Sequence, residues 1–373
     1  MEVLLENFNY ITWQMLVMWA IGGVLIYLAI AKEMEPTLLL PMGFGAILVN
    51  LPIAVPDTGV QHVLNTLFSI GIEGAELFPL MLFIGIGAMI DFTPLLTNPK
   101  LMIFGAAAQF GIFFTLAAAS LLGFDIQDAA SIAIIGAADG PTSIFVATEL
   151  GSKYLGAIMV AAYSYMALVP LVQPPIIKLC TTKAERKIKM QYKGKPVSKL
   201  TKILFPIVVT IIVGLVAPDA VALIGFLMFG NLIRECGVMS SISETAQNAL
   251  ANLITIFLGI TIASQMKASE FLQLDTLIII GLGLVAFVFD TFGGIMVAKI
   301  MNLFSKEKIN PMIGAAGISA FPMSARVVHK MGLEEDNQNF LLMHSIGVNV
   351  SGQIASVIAG GLILALVKAM IGG

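Results

Sequence analysis

The sequence predicts an all-α polytopic membrane protein of about ten transmembrane helices, with two re-entrant or broken helical hairpins set in an inverted repeat. Three observations carry that expectation. The chain of 373 residues is 58% hydrophobic and only 12% charged, whereas a soluble domain carries about 25% charged residues. Its apolar residues come in continuous runs, not in the short alternating segments of an outer-membrane barrel. Two stretches, 126–150 and 310–332, interrupt the pattern with glycines, prolines and either an acid or an arginine.

The elements follow in order. Runs able to cross, or nearly cross, a ~30 Å hydrocarbon core lie at roughly 13–31, 37–54, 74–91 and 101–123. The first interrupted segment, 126–150, comes next, and then a run at 154–180. A polar loop over 181–202 holds eight of the 20 lysines and arginines, so the positive-inside rule places it in the cytoplasm. Beyond it are runs at 201–217, 219–233, 248–264 and 275–303, the second interrupted segment at 310–332, and a last run at 338–369. The chain divides into a first repeat, 1–180, the basic loop, and a second repeat, 203–373. The N-terminus has Glu2 and Glu6 and no basic region, so no cleaved signal peptide is expected. Cys180 and Cys236 offer neither a disulfide framework nor metal-ligand spacing.

Charge decides how the interrupted segments run. If each enters and returns on one side, Lys32, Lys100, Arg234, Lys306 and Lys308 fall on the side of the basic loop, and Lys267 and Lys368 fall opposite. Full crossings would move the basic loops of the first half to the other side. The bias therefore favours two re-entrant hairpins, each with limbs of about ten residues, too short to span as helices. The halves also echo each other. The tetrapeptide Ile-Gly-Ala-Ala occurs at Ile135–Ala138 and again at Ile313–Ala316. Each half has five runs with a hairpin before the last, and an odd number inverts the second half. Inverted repeats whose broken segments meet near the midplane are a common way for a secondary transporter to place its ion site.

The chemistry gathers in three places. Asp139 precedes Gly140-Pro141, where freed carbonyls, the carboxylate, Thr142 and Ser143 offer oxygens to a small hard cation or a proton; the plainer reading is a helix cap at a turn. The second segment offers Asn310-Pro311 as a turn, Gly314 and Gly317 for close approach, Ser319 and Ser324 as oxygens, and Arg326. That arginine is either a snorkelling anchor or a clamp for a carboxylate. The last run carries Asn349, Ser351, Gln353 and Ser356, of which Asn349 and Gln353 share a face, as ligands or as glue between helices. Tyr163 and Tyr165 sit inside a run rather than at its edge, and Asp290 is a further intramembrane acid and a secondary candidate. No nucleotide loop, dinucleotide fingerprint or nucleophile elbow occurs, and nothing points to nucleic acid. The chain must draw on an ion gradient or on a partner's chemistry.

Three stretches in this order, GAADGPTSIF (136–145), NPMIGAAGISAFPMSARVVHK (310–330) and NVSGQIAS (349–356), resemble the membrane β subunits of the sodium-pumping, biotin-dependent decarboxylases. That family serves oxaloacetate, methylmalonyl-CoA, glutaconyl-CoA and malonate decarboxylases. The resemblance covers essentially the whole chain. It implies a carboxyltransferase α subunit that moves CO2 onto biotin of a carrier subunit, and a small membrane subunit. It implies a β subunit that decarboxylates the carboxybiotin, consumes an external proton and exports Na+ across the bacterial cytoplasmic (inner) membrane. It also implies a β homotrimer and an elevator-like motion of a core against a scaffold. By resemblance, Asp139, Asn310, Gly314, Ser319 and Asn349 would serve Na+; Asp139, Tyr165 and Arg326 would be catalytic; and Arg326 with Ser319 would meet carboxybiotin. A plain cation/carboxylate secondary transporter is the competing class. An inert anchor for a soluble enzyme is a third, which Asp139 disfavours.

Overall fold

The computed structural model describes residues 6–52, 59–74, 76–191, 194 and 196–372. Glu2, and Tyr192, Lys193 and Lys195 of the basic loop, lie outside the described residues. Within them, every regular element is helical.

The first half opens with α1 (Trp13–Ala31), which Thr12 caps by accepting the Met15 amide, and α2 (Pro36–Val49). It continues with α3 (Val60–Phe68), a π turn at Ser69–Glu73, and α4 (Leu77–Met89). A broken helix follows, α5 (Met102–Ala107) and α6 (Phe110–Leu121). Hairpin 1 is α7 (Ile126–Ala133), a 3-10 turn at Ile134–Ala137, and α8 (Gly140–Glu149). The half closes with α9 (Leu155–Cys180). The second half runs in the same order. It comprises α10 (Lys199–Val216), α11 (Val221–Glu235), α12 (Ser240–Ala263, with a π turn at Ala246–Leu250) and α13 (Leu274–Phe304). Hairpin 2 follows as a 3-10 run at Pro311–Gly317 and α14 (Met323–Glu335), and α15 (Leu342–Gly372) ends the chain.

Among the described residues, seven helices are long and apolar enough to cross a membrane, and eight if the pair Val60–Glu73 and Leu77–Met89, bent by 62°, counts as one span. The runs expected at 37–54, 74–91 and 219–233 form helices of 14, 13 and 15 residues. A helix of that length rises only about 20–23 Å, and the causes are local. α4 starts only at Leu77 because Glu76 takes left-handed backbone immediately before it, a conformation that a helix cannot continue through, while α2 stops at Val49, short of the run's expected end.

Small residues set the closest crossings. A Cβ on Gly22 would stand 2.6 Å from the Gly43 carbonyl oxygen, so α1 and α2 meet backbone to backbone. Gly87 of α4 lies closer still to the Leu227 carbonyl, and Gly230 of α11 to the Ile84 carbonyl. In lipid, where burying apolar surface between helices has little driving force, such close contact is what holds helices together. α2 packs on α12 as α11 packs on α4; in the order of the two halves, each pair is the counterpart of the other.

Polar residues mark two opposite rims. On one, Lys202 and Arg234 flank Glu235 at 3.8 and 3.3 Å, and Lys299 meets Glu185 at 3.2 Å. Lys100, Lys189 and Lys308 line one cavity of about 600 Å³ on that rim. On the other, Lys368 bridges Glu149 and Asp219 at 2.8 and 3.3 Å, and Tyr154 donates to Asp275 at 3.0 Å.

Candidate functional site: the meeting of two hairpin tips

Each hairpin returns to the rim it left. Lys153, just after hairpin 1, pairs with Asp125, just before it, at 2.8 Å, and Ser152 donates to Asp128 at 2.8 Å. At the other rim, the Asn310 amide donates to the carbonyls of Arg186 and Ile188 at 2.9 Å, and Asn339 also donates to the Arg186 carbonyl at 2.9 Å. Arg186 itself holds Glu335 at 2.6 Å, with both side chains largely buried. The basic loop is thus a clasp across the base of hairpin 2. The Glu335 carboxyl is held below the usual carboxylate range, mainly by the Arg186 hydrogen bond.

The two tips touch. In hairpin 1 the chain turns at Ala138, whose φ is 51°, and Asp139 becomes the N-cap of α8. Pro141 sits in the first turn of that helix, where its missing N–H is no loss. Asp139 Oδ1 accepts the Thr142 amide at 3.2 Å. Across the gap, the Ser319 amide of hairpin 2 donates to the Ala137 carbonyl at 2.8 Å.

Three side chains then converge on Asp139 Oδ2. Ser319 Oγ donates at 3.0 Å, Ser356 Oγ at 2.7 Å and Gln353 Nε2 at 3.2 Å. The two serine hydroxyls also lie 2.7 Å apart. Asp139 is 2% exposed and Ser356 0%. Among the described residues no basic side chain bonds to this carboxylate. A buried charge needs a partner or a set of donors; here it has donors from hairpin 1, hairpin 2 and α15, and no fixed cation.

The expected site residues therefore fall into groups. Ser319 meets Asp139 directly. Asn349 donates to the Ile318 carbonyl at 2.7 Å and holds the extended strand that carries Ser319. Gly314 lies against the backbone of Gly294 on α13. Asn310 sits at the clasp and caps its own turn by accepting the Met312 amide at 3.1 Å. Tyr165 donates to the Ile280 carbonyl, and its ring lies against Gly283 of α13. Arg326 is exposed on α14 and acts electrostatically on Glu35, at the start of α2. Burial raises the Glu35 carboxyl above its ordinary range, and Arg326 partly opposes that.

Gln353 and Ser356, which the sequence offered as ligands or as glue between helices, complete the cluster, although the resemblance pointed to Asn349 alone. The signal was their spacing: 349, 353 and 356 fall on one helical face. Tyr163, rather than Tyr165, covers the tip, because its ring lies where a Cβ of Gly140 would be. Gln173 of α9 braces hairpin 2, donating to the Ala315 carbonyl at 2.7 Å and accepting from Ser324 at 3.0 Å.

Chemically, the cluster is an all-oxygen pocket with one amide. Hydroxyl rotors that donate to a carboxylate can turn their lone pairs to a hard cation instead. Thr142 Oγ1 and Asn349 Oδ1 are buried acceptors with no hydrogen-bond partner among the described residues.

Residues 14–367 match the family described as the Na+-transporting oxaloacetate decarboxylase beta subunit. The chain is 50% identical to the glutaconyl-CoA decarboxylase subunit beta of Acidaminococcus fermentans, over 97% of this chain and 96% of that one. It is 49% identical to the methylmalonyl-CoA decarboxylase subunit beta of Propionigenium modestum, over 94% of each. To the oxaloacetate decarboxylase beta chain of Haemophilus ducreyi it is 46% identical, over 97% of each.

Proposed function

The chain belongs to the family of β subunits of Na+-transporting decarboxylases, and from that premise we propose how its residues divide the work. It is the multi-pass bacterial membrane subunit of a decarboxylase complex, and it couples the decarboxylation of carboxybiotin to Na+ export and the consumption of an external proton. Na+ is cargo, held at Asp139 by the oxygens of Ser319 and Ser356 while Thr142 and Asn349 offer further acceptors. Carboxybiotin is brought from the cytoplasm by a carrier subunit charged by a carboxyltransferase α subunit, and Arg326 receives its carboxylate. A small membrane subunit and a β homotrimer complete the assembly. The two halves form an inverted repeat, and the hairpins move as a core against α1, α2, α4, α11 and α12. Gly314 and Asn310 set the path of hairpin 2, and Tyr165 fixes α9 on α13.

The single observation behind this division is the buried Asp139 carboxylate with donors from both hairpins and no fixed cation. Such a carboxylate has room in its charge balance for one mobile cation.

The test is Asp139→Asn in the whole complex. Asn keeps size and removes charge. Na+-dependent CO2 release from a carboxylated carrier, and Na+ uptake into proteoliposomes, should fall to background while the complex assembles. Na+ transport at the parent rate would refute the site. A parent protein that moves Na+ with a free carboxylate and releases no CO2 would instead be the secondary transporter.

A further inference from the structure

Asp290 is a second buried acid, and nothing above gives it work. It lies near the middle of α13 and is 0% exposed. Oδ1 accepts the Gly111 amide, and the Ile112 amide also bonds to this carboxylate. Both amides belong to the first turn of α6, just past the break at Ala108 and Gln109 that separates it from α5. Oδ2 has no hydrogen-bond partner among the described residues. It lies against hairpin 1: a Cβ on Gly136 would stand 2.7 Å from Oδ2, and one on Gly111 would stand 2.6 Å from Oδ1. The carboxyl group is therefore pressed between the start of α6 and the limb of hairpin 1 that leads to Asp139.

Two effects oppose each other at this carboxyl. The amino-terminal end of α6 favours a negative charge on Oδ1. An unpartnered oxygen in a buried position disfavours it. Titratable groups on the packed elements are few. Hairpin 1 contributes Asp139, three residues past Gly136, Asp128 on α7 and Glu149 at the far end of α8; α9 contributes Tyr163 and Tyr165, with Lys178 and Cys180 at its far end; α5, α6 and the 3-10 run of hairpin 2 contribute none. Among the described residues no lysine or arginine bonds to the group.

We propose that Asp290 is a proton-binding site, with the proton on Oδ2 against Gly136, and that it carries the proton which the decarboxylation consumes. The proposal rests on the decarboxylase reading above. When carboxybiotin loses CO2, the C–N bond breaks and its electron pair stays on the ureido nitrogen, which takes one proton. Asp290 gives up that proton toward the reaction and, as the carboxylate, regains one from the outer aqueous phase. Gain and loss of the proton change what Gly136 packs against, which ties the proton to the hairpin that carries the ion site.

The test uses the whole complex in proteoliposomes, with a pH dye in the compartment that receives Na+. Asp290→Asn keeps the Oδ1 acceptor for Gly111 and cannot carry the proton. The parent should alkalinise the receiving compartment as CO2 is released. In D290N that alkalinisation per CO2 should fall by about 100-fold, or to background. Alkalinisation per CO2 equal to the parent's would reduce Asp290 to a cap and overturn the proposal.

Infrared spectroscopy gives a reading that needs no turnover. A D139N/E76Q protein lacks the tip carboxyl and Glu76, the other buried carboxyl with a partnerless oxygen. It should still show a protonated-carboxyl band that disappears as pH rises and that is missing when D290N is added. Absence of that band from D139N/E76Q overturns the proposal even if D290N fails to assemble. A parent that shows the band but releases no CO2 would remove the decarboxylase reading and leave the proton site standing.

Discussion

Ser356→Ala removes one oxygen and tests the tip cluster at the residue nearest its centre. The hydroxyl donates to Asp139 Oδ2 at 2.7 Å and meets Ser319 Oγ at 2.7 Å. Ser319, Gln353 and the Thr142 amide remain, so three of the four donors survive and the tip should stay folded. A hydrogen bond to a charged group contributes about 1.5–3 kcal/mol. With about 1.4 kcal/mol per tenfold, losing an oxygen of that quality from the ion's shell should raise the half-saturating Na+ concentration roughly 10- to 100-fold. The assay is initial CO2 release from a carboxylated carrier against Na+ concentration, with the purified complex. The maximal rate at saturating Na+ should stay within a few-fold of the parent. Ser319→Ala should behave alike, and because the two hydroxyls touch, the double variant should cost less than the sum. A half-saturation point within about twofold of the parent's would mean that the hydroxyl does not face the ion, and the argument for an oxygen-lined Na+ site at the tips would fail.

Two further outcomes follow from the hairpins' bases. With Cys180 and Cys236 replaced, cysteines near Gln127 and Ser152 should both label from outside, and those near Lys308 and Leu333 both from inside; a pair labelling from opposite faces would show a full crossing. The Arg186–Glu335 clasp should also be pH-sensitive. Since Glu335 is held below its ordinary range, its contribution is present above the unfolded carboxylate pKa and is lost as pH falls through the folded value. The thermal stability of the solubilised complex should therefore exceed that of Glu335→Gln at neutral pH, with the gap closing in acid. A gap independent of pH would mean that the ion pair is not what holds the base of hairpin 2.

Much of this architecture was legible because lipid is a strict solvent. A chain with 12% charged residues must be helical where it crosses, and a Gly140-Pro141 step suits the first turn of a helix, where proline's missing N–H is no loss. The side on which most of the basic residues fall, Lys267 and Lys368 excepted, then favoured interrupted segments that return. Helix lengths were less legible. Hydropathy does not register that Glu76 takes a left-handed backbone, so the run at 74–91 read as a span although its helix has 13 residues. The choice between Tyr163 and Tyr165 was illegible for a related reason. α9 is apolar nearly all round, so its sequence has no periodicity from which to read which face meets hairpin 1. Asn349, Gln353 and Ser356 were legible as a face, but not as to which of them stands level with Asp139. That depends on how far each hairpin reaches, which the clasps at Arg186 and Asp125 decide.

The choice of neutral donors rather than a fixed cation has an energetic consequence for the proposed Na+ site, which would have to load and unload. A lysine or arginine on Asp139 would neutralise it permanently, and Na+ would then have to displace a charge. An unpaired buried carboxylate would cost several kcal/mol and would not persist empty. Four donors at about 1.5–3 kcal/mol each offset a cost of that size, so the ion-free state is tolerable, and each hydroxyl can turn a lone pair to an arriving ion. Ser319 has a second part in this exchange, because its amide holds the Ala137 carbonyl of the other hairpin. When its hydroxyl turns to the ion, the contact between the tips keeps its backbone bond and loses the direct side-chain bond to Asp139. If the tips hold Na+ as proposed, ion occupancy and the grip of one hairpin on the other become a single equilibrium, with Ser319 as its shared member.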